Sequence, residues 1–399
     1  MTQTVTITAR RAPSDDVALV VDGLEWSGWQ SVRITRSMER CPNDFDLEVT
    51  EQFPGQAEAM VFKPGSPCEV WIGPDRVITG YIDRYMPSIS AGQHTVRISG
   101  RGKCQDLVDC AAEWPGNQIM GSSVLQVAQK LAEPYGITVS GEQGPSVGQG
   151  GGAVLIPQLN LMLGETAWEV IERLCRIAGL LAYEQPDGNL LLTSNPADTN
   201  EIIVRDLAGA GMVAASGFAE GVNVESAQAV LSADQRFSNY QAHRFAFDRF
   251  TDVNESGNLI GEAFDQHVAR RRLRIIIAEM GHNLAEQNAL DRARWEAARR
   301  WGRSHMVTLT TDNWRDSAGA LYRPNTLAEV YLPTLKITAA DDPQAGTLWM
   351  LSDVTYRKGA DGTHCDITMM PPAAFGVQPT LPPYVIPADV AALPNATGR

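Results

Sequence analysis

Tyr81-Ile-Asp-Arg-Tyr-Met-Pro-Ser-Ile-Ser-Ala-Gly-Gln-His94 and Leu351-Ser-Asp-Val-Thr-Tyr-Arg-Lys-Gly-Ala-Asp-Gly-Thr-His364 read as two copies of one β-hairpin. Asp353, Gly362 and His364 stand 270 positions after Asp83, Gly92 and His94. Each copy follows an alternating run, Cys68-Glu-Val-Trp-Ile72 in the first and Leu327-Ala-Glu-Val-Tyr-Leu332 in the second. The pattern predicts a β-domain duplicated within one chain. Two unrelated hairpins with Asp and Gly in their turns would match in three positions as well.

Working outward, residues 1–100 are dense in short alternating strands and turn signals and predict a first β-barrel or sandwich domain. Met1-Thr-Gln-Thr-Val-Thr-Ile-Thr8 alternates too, and reads as a strand, not a signal peptide. At Gly100-Arg-Gly102 the character changes, and residues 101–195 predict a mixed α+β module. Ser123-Val-Leu-Gln126 and Thr166-Ala-Trp-Glu169 are capping boxes that open its helices, and Pro186-Asp-Gly188 turns its hairpin. Strands resume near Ile202, and residues 196–244, with Val222–Ser226 and Arg236–Tyr240, begin the second β-domain. Residues 245–304 are an insertion packing with the module. In it Arg274-Ile-Ile-Ile-Ala278 reads as a buried strand, and a long helix carries a stripe of Leu290, Ala293, Ala297 and Trp301. Residues 305–372 complete the second β-domain, and 373–399 read as an extended Pro-rich tail. The fold class is α+β, mainly β.

The 399 residues are 44% hydrophobic and 20% charged, which suits several folded domains and not a disordered chain. A net charge of −14 disfavours nucleic acid or an anionic membrane as a partner of the whole surface. No apolar run is long enough to span a bilayer. The six cysteines, Cys41, Cys68, Cys104, Cys110, Cys175 and Cys365, form no C-x-x-C pair and read as reduced core thiols.

Few stretches suggest chemistry. Gly144-Pro-Ser-Val-Gly148 has the form of a nucleophile elbow, but Ser146 lies in the Gly-rich loop Gly141–Gly152 with no helix following it. His243 and His267 stand alone, without metal-ligand spacing. Asp15-Asp16 and Asp341-Asp342 read as solvated turns, and Gly102-Lys103 leads to Cys104 where a Walker loop needs Ser or Thr. Arg270–Arg274 and the arginines from Arg292 to Arg303 are the dense positive regions, read as salt-bridged faces ahead of partner sites. Trp114 and Trp168 are candidates for a glycan or small-molecule surface, with core packing the simpler role for Trp168. No catalytic, cofactor or metal residue is assigned.

Four segments in order resemble the baseplate hub proteins of Mu-type contractile-tailed phages. They are Ser31–Glu39 followed by Phe45, Ile98–Ala112, Thr166–Leu180 with its Pro-Asp-Gly hairpin, and Arg292–Arg300. The resemblance spans residues from about 25 to 375 and leaves the Gly141–Gly152 loop and the tail past Phe375 unmatched. It implies a non-enzymatic homotrimer at the tip of the tail tube, with two tube-type β-barrel domains per subunit. It also implies the tail tube or distal tail protein, the central spike and other baseplate proteins as partners, and DNA passing through the lumen without sequence-specific binding. Virion tail location and assembly in the bacterial cytoplasm follow from it, and related hubs occur in type VI secretion and other contractile injection systems. Two related β-domains in each of three subunits would give the pseudo-sixfold ring that such a hub needs. The competing reading is a tail-associated hydrolase of cell-wall or esterase type acting through Ser146.

Overall fold

The computed structural model describes residues 15–50, 62–91, 93–141, 146–147, 152–153, 155–178, 180–194, 217–245, 258–277, 285–337 and 348–376. The expected strand at Met1–Thr8, the Asp341-Asp342 pair, the strand near Ile202 and the tail past Gly376 lie outside them.

The alternating runs of the first hundred residues become seven strands: β1 (Val17–Val21), β2 (Leu24–Trp26), β3 (Ser31–Ser37), β4 (Asp44–Thr50), β5 (Pro67–Ile72), β6 (Asp75–Ser90) and β7 (Gln93–Gly102). They pair antiparallel in the order β3-β4-β7-β6-β5-β1-β2. Period-two alternation puts Ile34, Leu47, Val70, Ile72, Ile82 and Ile98 on the buried face. Each such side chain contributes about 1.5–3 kcal/mol on leaving water.

The module follows with α1 (Gln105–Asp109), β8 (Gln118–Ser123), α2 (Val124–Ala132), β9 (Val139–Gly141), β10 (Ser146–Val147), β11 (Gly152–Ala153), β12 (Leu155–Asn160), α3 (Ala167–Ala178), β13 (Leu180–Glu184) and β14 (Leu190–Ser194). Both capping boxes close. Ser123 Oγ accepts from the Gln126 N–H at 3.2 Å and Gln126 Oε1 from the Ser123 N–H at 2.9 Å. Thr166 Oγ1 accepts from the Glu169 N–H at 3.2 Å, and Glu169 Oε2 accepts from the Thr166 N–H at 2.8 Å. The helices bury Val127, Leu131, Val170, Ile171 and Leu174 against the small sheet β13-β14-β9.

The remainder supplies β15 (Phe218–Ala219), β16 (Ser226–Leu231), β17 (Asn239–Phe245), β18 (Asn258–Phe264), β19 (Leu273–Ile277), α4 (Ala285–Arg303), β20 (His305–Thr311), β21 (Leu327–Tyr331), β22 (Leu348–Gly359) and β23 (Gly362–Met370). β16, β20, β23 and β22 pair in that order, with β21 on β22 and β15 on β21. β22 then pairs with β3, so the described pairings run through one 13-stranded sheet and close neither half on itself. One hydrophobic core spans both halves.

Four expectations need correction. Residues 239–244, assigned by sequence to the second β-domain, pair with β18 and β19 in a separate sheet under α4. β19 is not a fully buried strand: Ile276 faces the helix, while Leu273 and Ile275 are exposed. The α4 stripe gains Ala289 and keeps Ala293, Ala297 and Trp301, while Leu290 is half-buried and outside it. β18 lies so close under the helix that a Cβ at Gly261 would stand 2.2 Å from the Ala289 carbonyl carbon, so the strand needs glycine there. Finally, the chain past Pro371 does not leave the body at once. Residues Pro372–Phe375 form a 3₁₀ turn that buries Ala374 and Phe375 with Met38, Tyr183, Met350 and Met370.

The two hairpins agree in a register that the sequence identities misplace by one residue. β6 pairs with β7 from Ser90↔Gln93 back to a bulge at Asp83, and β22 pairs with β23 from Gly359↔Gly362 back to a bulge at Ser352. Turn and bulge therefore coincide when Gly359 is set 269 positions after Ser90, not 270. At 269, buried Val96 and Ile98 fall on buried Cys365 and Ile367. At 270 they would fall on Asp366 and Thr368, on the opposite face. The Asp, Gly and His identities are thus not equivalent positions. The preceding runs do align as read: Cys68, Val70 and Ile72 match Ala328, Val330 and Leu332, all buried. Gly65 and Asn325, both at positive φ, donate to the Ile82 and Leu351 carbonyls, and the Ile82 and Leu351 N–H groups donate back to the next residues, Ser66 and Thr326.

Candidate assembly surface

The inward and outward faces of a sheet follow from alternation, but its edges follow from pairing, and three edge or joint regions stand out. The first is the junction of the halves. Asp353–Lys358 of β22 pairs antiparallel with Ser37–Val32 of β3. Thr355 Oγ1 donates to Thr35 Oγ1 at 3.3 Å and Arg40 lies 3.6 Å from Asp353. Arg315, from the second half, reaches across to Asp15 at 3.2 Å, Asp75 at 2.7 Å and the Ile72 carbonyl at 3.1 Å. Its fork holds several acceptors in fixed directions, which a lysine would not do.

The second region is the seat of the module. The end of β13 meets the large sheet beside the start of β4 and the end of β7 through Glu184, only 1% exposed. Glu184 Oε2 accepts from the Asn43 N–H and Oε1 from the Cys104 N–H, each at 2.8 Å. A Cβ at Gly102 would stand 2.0 Å from Oε2, so the backbone there is shaped around the carboxyl. Burial pushes the Glu184 carboxyl up to about 7, against the pull of the two N–H donors and nearby Arg36. Next to it, Tyr183 Oη accepts from Asn325 Nδ2 at 3.0 Å, so one hairpin touches both halves. Thr79 Oγ1 donates to the Pro186 carbonyl at 3.0 Å.

The third region is the positive one. Glu296 lies 2.5 Å from Arg300 and 3.8 Å from Arg292, and Arg303 pairs with Glu39. Arg272 donates to the Ala233 and Asp234 carbonyls and stacks 4.8 Å from Phe237, with Arg274 and Arg300 also over that ring. Arg292 and Arg299 stack on Trp295. Arg272 and Arg274 of the first cluster and Arg292, Arg299, Arg300 and Arg303 of the second are therefore tied into local faces. Arg270 and Arg271 are exposed.

The remaining candidate residues are dispersed. Ser146 sits in β10, paired with Ala153 of β11, which is a short antiparallel ladder and not a strand-to-helix elbow. His267 is exposed and its N–H donates to Asp265, while His243 lies in β17. Among the described residues, no group of His, Cys, Asp and Glu is arranged to hold a metal ion. Asp15 belongs to the Arg315 joint, and the Asp16 carbonyl accepts from Gly73. Trp114 lies under Lys130, 4.4 Å from its ring, and Trp168 packs on the module core beside a cleft with Glu172, Arg299 and Arg303. All six cysteines are free thiols, and burial pushes Cys68 and Cys175 up to about 12. Sequence reasoning missed Glu184 and Arg315. Glu184 had a signal, an acid closing the apolar run Leu180-Leu-Ala-Tyr; Arg315 had none, because its partners are remote in sequence.

Comparison with known proteins gives this arrangement a context. A family model for the N-terminal part of Mu phage baseplate assembly protein GpP-like proteins matches residues 16–102. The second domain of gp44-like baseplate hub proteins matches 104–194, and the fourth domain of Mu phage GpP matches 285–378. Baseplate hub protein gp44 of Escherichia phage Mu is 30% identical over 323 residues, 79% of each chain. The 43 kDa tail protein of prophage MuSo2 from Shewanella oneidensis has a TM-score of 0.72 at 28% identity, covering 91% of this chain and 99% of that one. A tail protein from Neisseria meningitidis has the same fold, with a TM-score of 0.68 at 20% identity over 90% of this chain and 98% of that one.

The mainly β fold and these matches define a structural protein of the phage tail baseplate. The chain belongs to the gp44-like baseplate hub family of Mu-type phages.

Proposed function

We propose that three copies of this chain form a pseudo-sixfold ring that joins a hexameric tail tube to a trimeric central spike. One observation carries this reading. The chain holds two halves with a common strand order, β3-β4-β7-β6-β5 and β16-β20-β23-β22-β21, with the same bulge-to-turn spacing. A duplicated unit gives a trimer six near-equivalent surfaces on one side, while the single α+β module and α4 leave threefold features on the other. A net charge of −14 suits a lumen past which DNA slides without adhering. The role is structural: the homologues are tail and baseplate proteins, and Ser146 lacks the elbow geometry that a hydrolase would use. Light scattering of the purified chain is the test. A particle of about three times 43.4 kDa that appears as a ring in electron micrographs is expected, and a monomer at tens of micromolar would overturn the reading.

A further inference from the structure

The junction inside the chain is a template for a second junction that one chain cannot make. β22 uses one long edge for β23 and divides the other, with Leu348–Met350 pairing to β21 and Asp353–Lys358 to β3. Its counterpart β6 pairs with β7 on one edge and uses Asp75–Tyr81 for β5 on the other. Met86–Ser90 has no strand on that second edge among the described residues. In the same way β3 lies between β4 and β22, whereas its counterpart β16 has β20 on one side and no strand on the other among the described residues. One complementary pair of edges is used within the chain, and one pair remains among the described residues.

We propose that β16 of one copy adds to the Met86–Ser90 edge of β6 in a second copy of this chain, in the register of the β3–β22 junction. β22 maps onto β6 at 269 positions. β3 maps onto β16 at 195, because Ser31↔Glu48 and Ser226↔Thr310 hold corresponding places in their ladders. Carrying the template across sets Met86 opposite Val230, Pro87 opposite Ala229, Ser88 opposite Gln228 and Ile89 opposite Ala227. The full template also sets Tyr85 opposite Leu231 and Arg84 opposite Ser232, and Arg84 at the ladder's end is the one charged residue of the twelve, although an edge left to solvent is ordinarily guarded by charge. Ile89 is 83% exposed and Val230 40% in the single chain, and the added strand would cover both. Pro87 carries no N–H, so this ladder has one donor fewer than its template. The contact is head to tail, and each copy offers both edges, so it propagates until a ring closes.

The inference rests on the ring reading and assigns its seam. Ser88→Cys with Gln228→Cys in the full chain, under mild oxidation, is expected to give covalent dimers and trimers on a non-reducing gel. Either substitution alone, or Ser88→Cys with Val230→Cys, should give at least tenfold less. Ile89→Asp should keep the parent's circular dichroism spectrum and lose the trimer by light scattering. A trimer that persists in Ile89→Asp and forms no 88–228 disulfide would overturn the seam while leaving the ring reading intact. A parent chain that is monomeric and uncrosslinked would overturn both.

Discussion

The two halves of the large sheet solve one packing problem with opposite side chains. Phe45 and Gly100 are directly paired in the first half; Val307 and Met369 hold the corresponding places in the second. A Cβ on Gly100 would stand 2.5 Å from the Phe45 ring, so the glycine makes room for the aromatic. In the second half the volume is divided between two mid-sized side chains, both fully buried. The backbone register is common, and the side chains that fill it are exchanged as a pair. The halves differ more in what leaves them. β3 and β4 are joined by residues 38–43, whereas the equivalent connection from β16 to β20, residues 232–304, carries β17, β18, β19 and α4.

The comparison is open to attack by mutation. Phe45→Ala should cost the most, about 4 kcal/mol in urea unfolding, because it empties a site whose opposite residue has no side chain to relax inward. Val307→Ala, in the equivalent place, should cost about half as much, since Met369 can lean into the gap. Equal costs would mean that the two sites are not packing equivalents.

Glu184→Ala should cost roughly 3 kcal/mol by leaving the Asn43 and Cys104 N–H groups buried and unpaired. The seat of the module also predicts a pH dependence. The folded-state pKa of Glu184 is raised above its ordinary value of 4.5 to about 7. Its contribution is therefore full below about 4.5 and is lost as pH rises through about 7, a change on the order of 3 kcal/mol. Unfolding measured from pH 4.5 to 8 should show this slope in the parent and not in Glu184→Gln.

Arg315→Ala should cost about 2 kcal/mol, because Asp15, Asp75 and the Ile72 carbonyl lose a largely buried partner that joins the halves. Arg97→Ala should cost about 0.5 kcal/mol or less. Its paired bonds to Asp46 lie on an exposed face within one half, where solvent screens them. A larger loss for Arg97 than for Arg315 would contradict the distinction between holding a half together and holding two halves to each other.

Local rules were legible and long-range partnership was not. Ser123–Gln126 and Thr166–Glu169 announce helix starts because a capping box is complete within four residues. The likeness of the two hairpins was legible as a pattern, but their common register was not. Asp83 and Ser352 occupy bulges, an irregularity that carries no residue code, and the residues that happened to be identical are turn and surface types free to recur. Tyr240 reads as a strand residue in either of two sheets; only pairing with β18 and β19 assigns it. The same holds for the candidate surface. Ile89 and Val230 look like any strand residues until their edges prove to be unoccupied among the described residues.

The excursion from β16 to β20 begins and ends at one point. The Ser232 N–H donates to the Ser304 carbonyl at 2.9 Å, and Leu231 pairs with His305 immediately beside it. A segment whose two ends are already hydrogen-bonded can be shortened to a tight turn, or exchanged for a different one, without disturbing the ladder below it. The site is a natural cassette port, through which a lineage could change what its tail end carries while keeping the sheet that carries it.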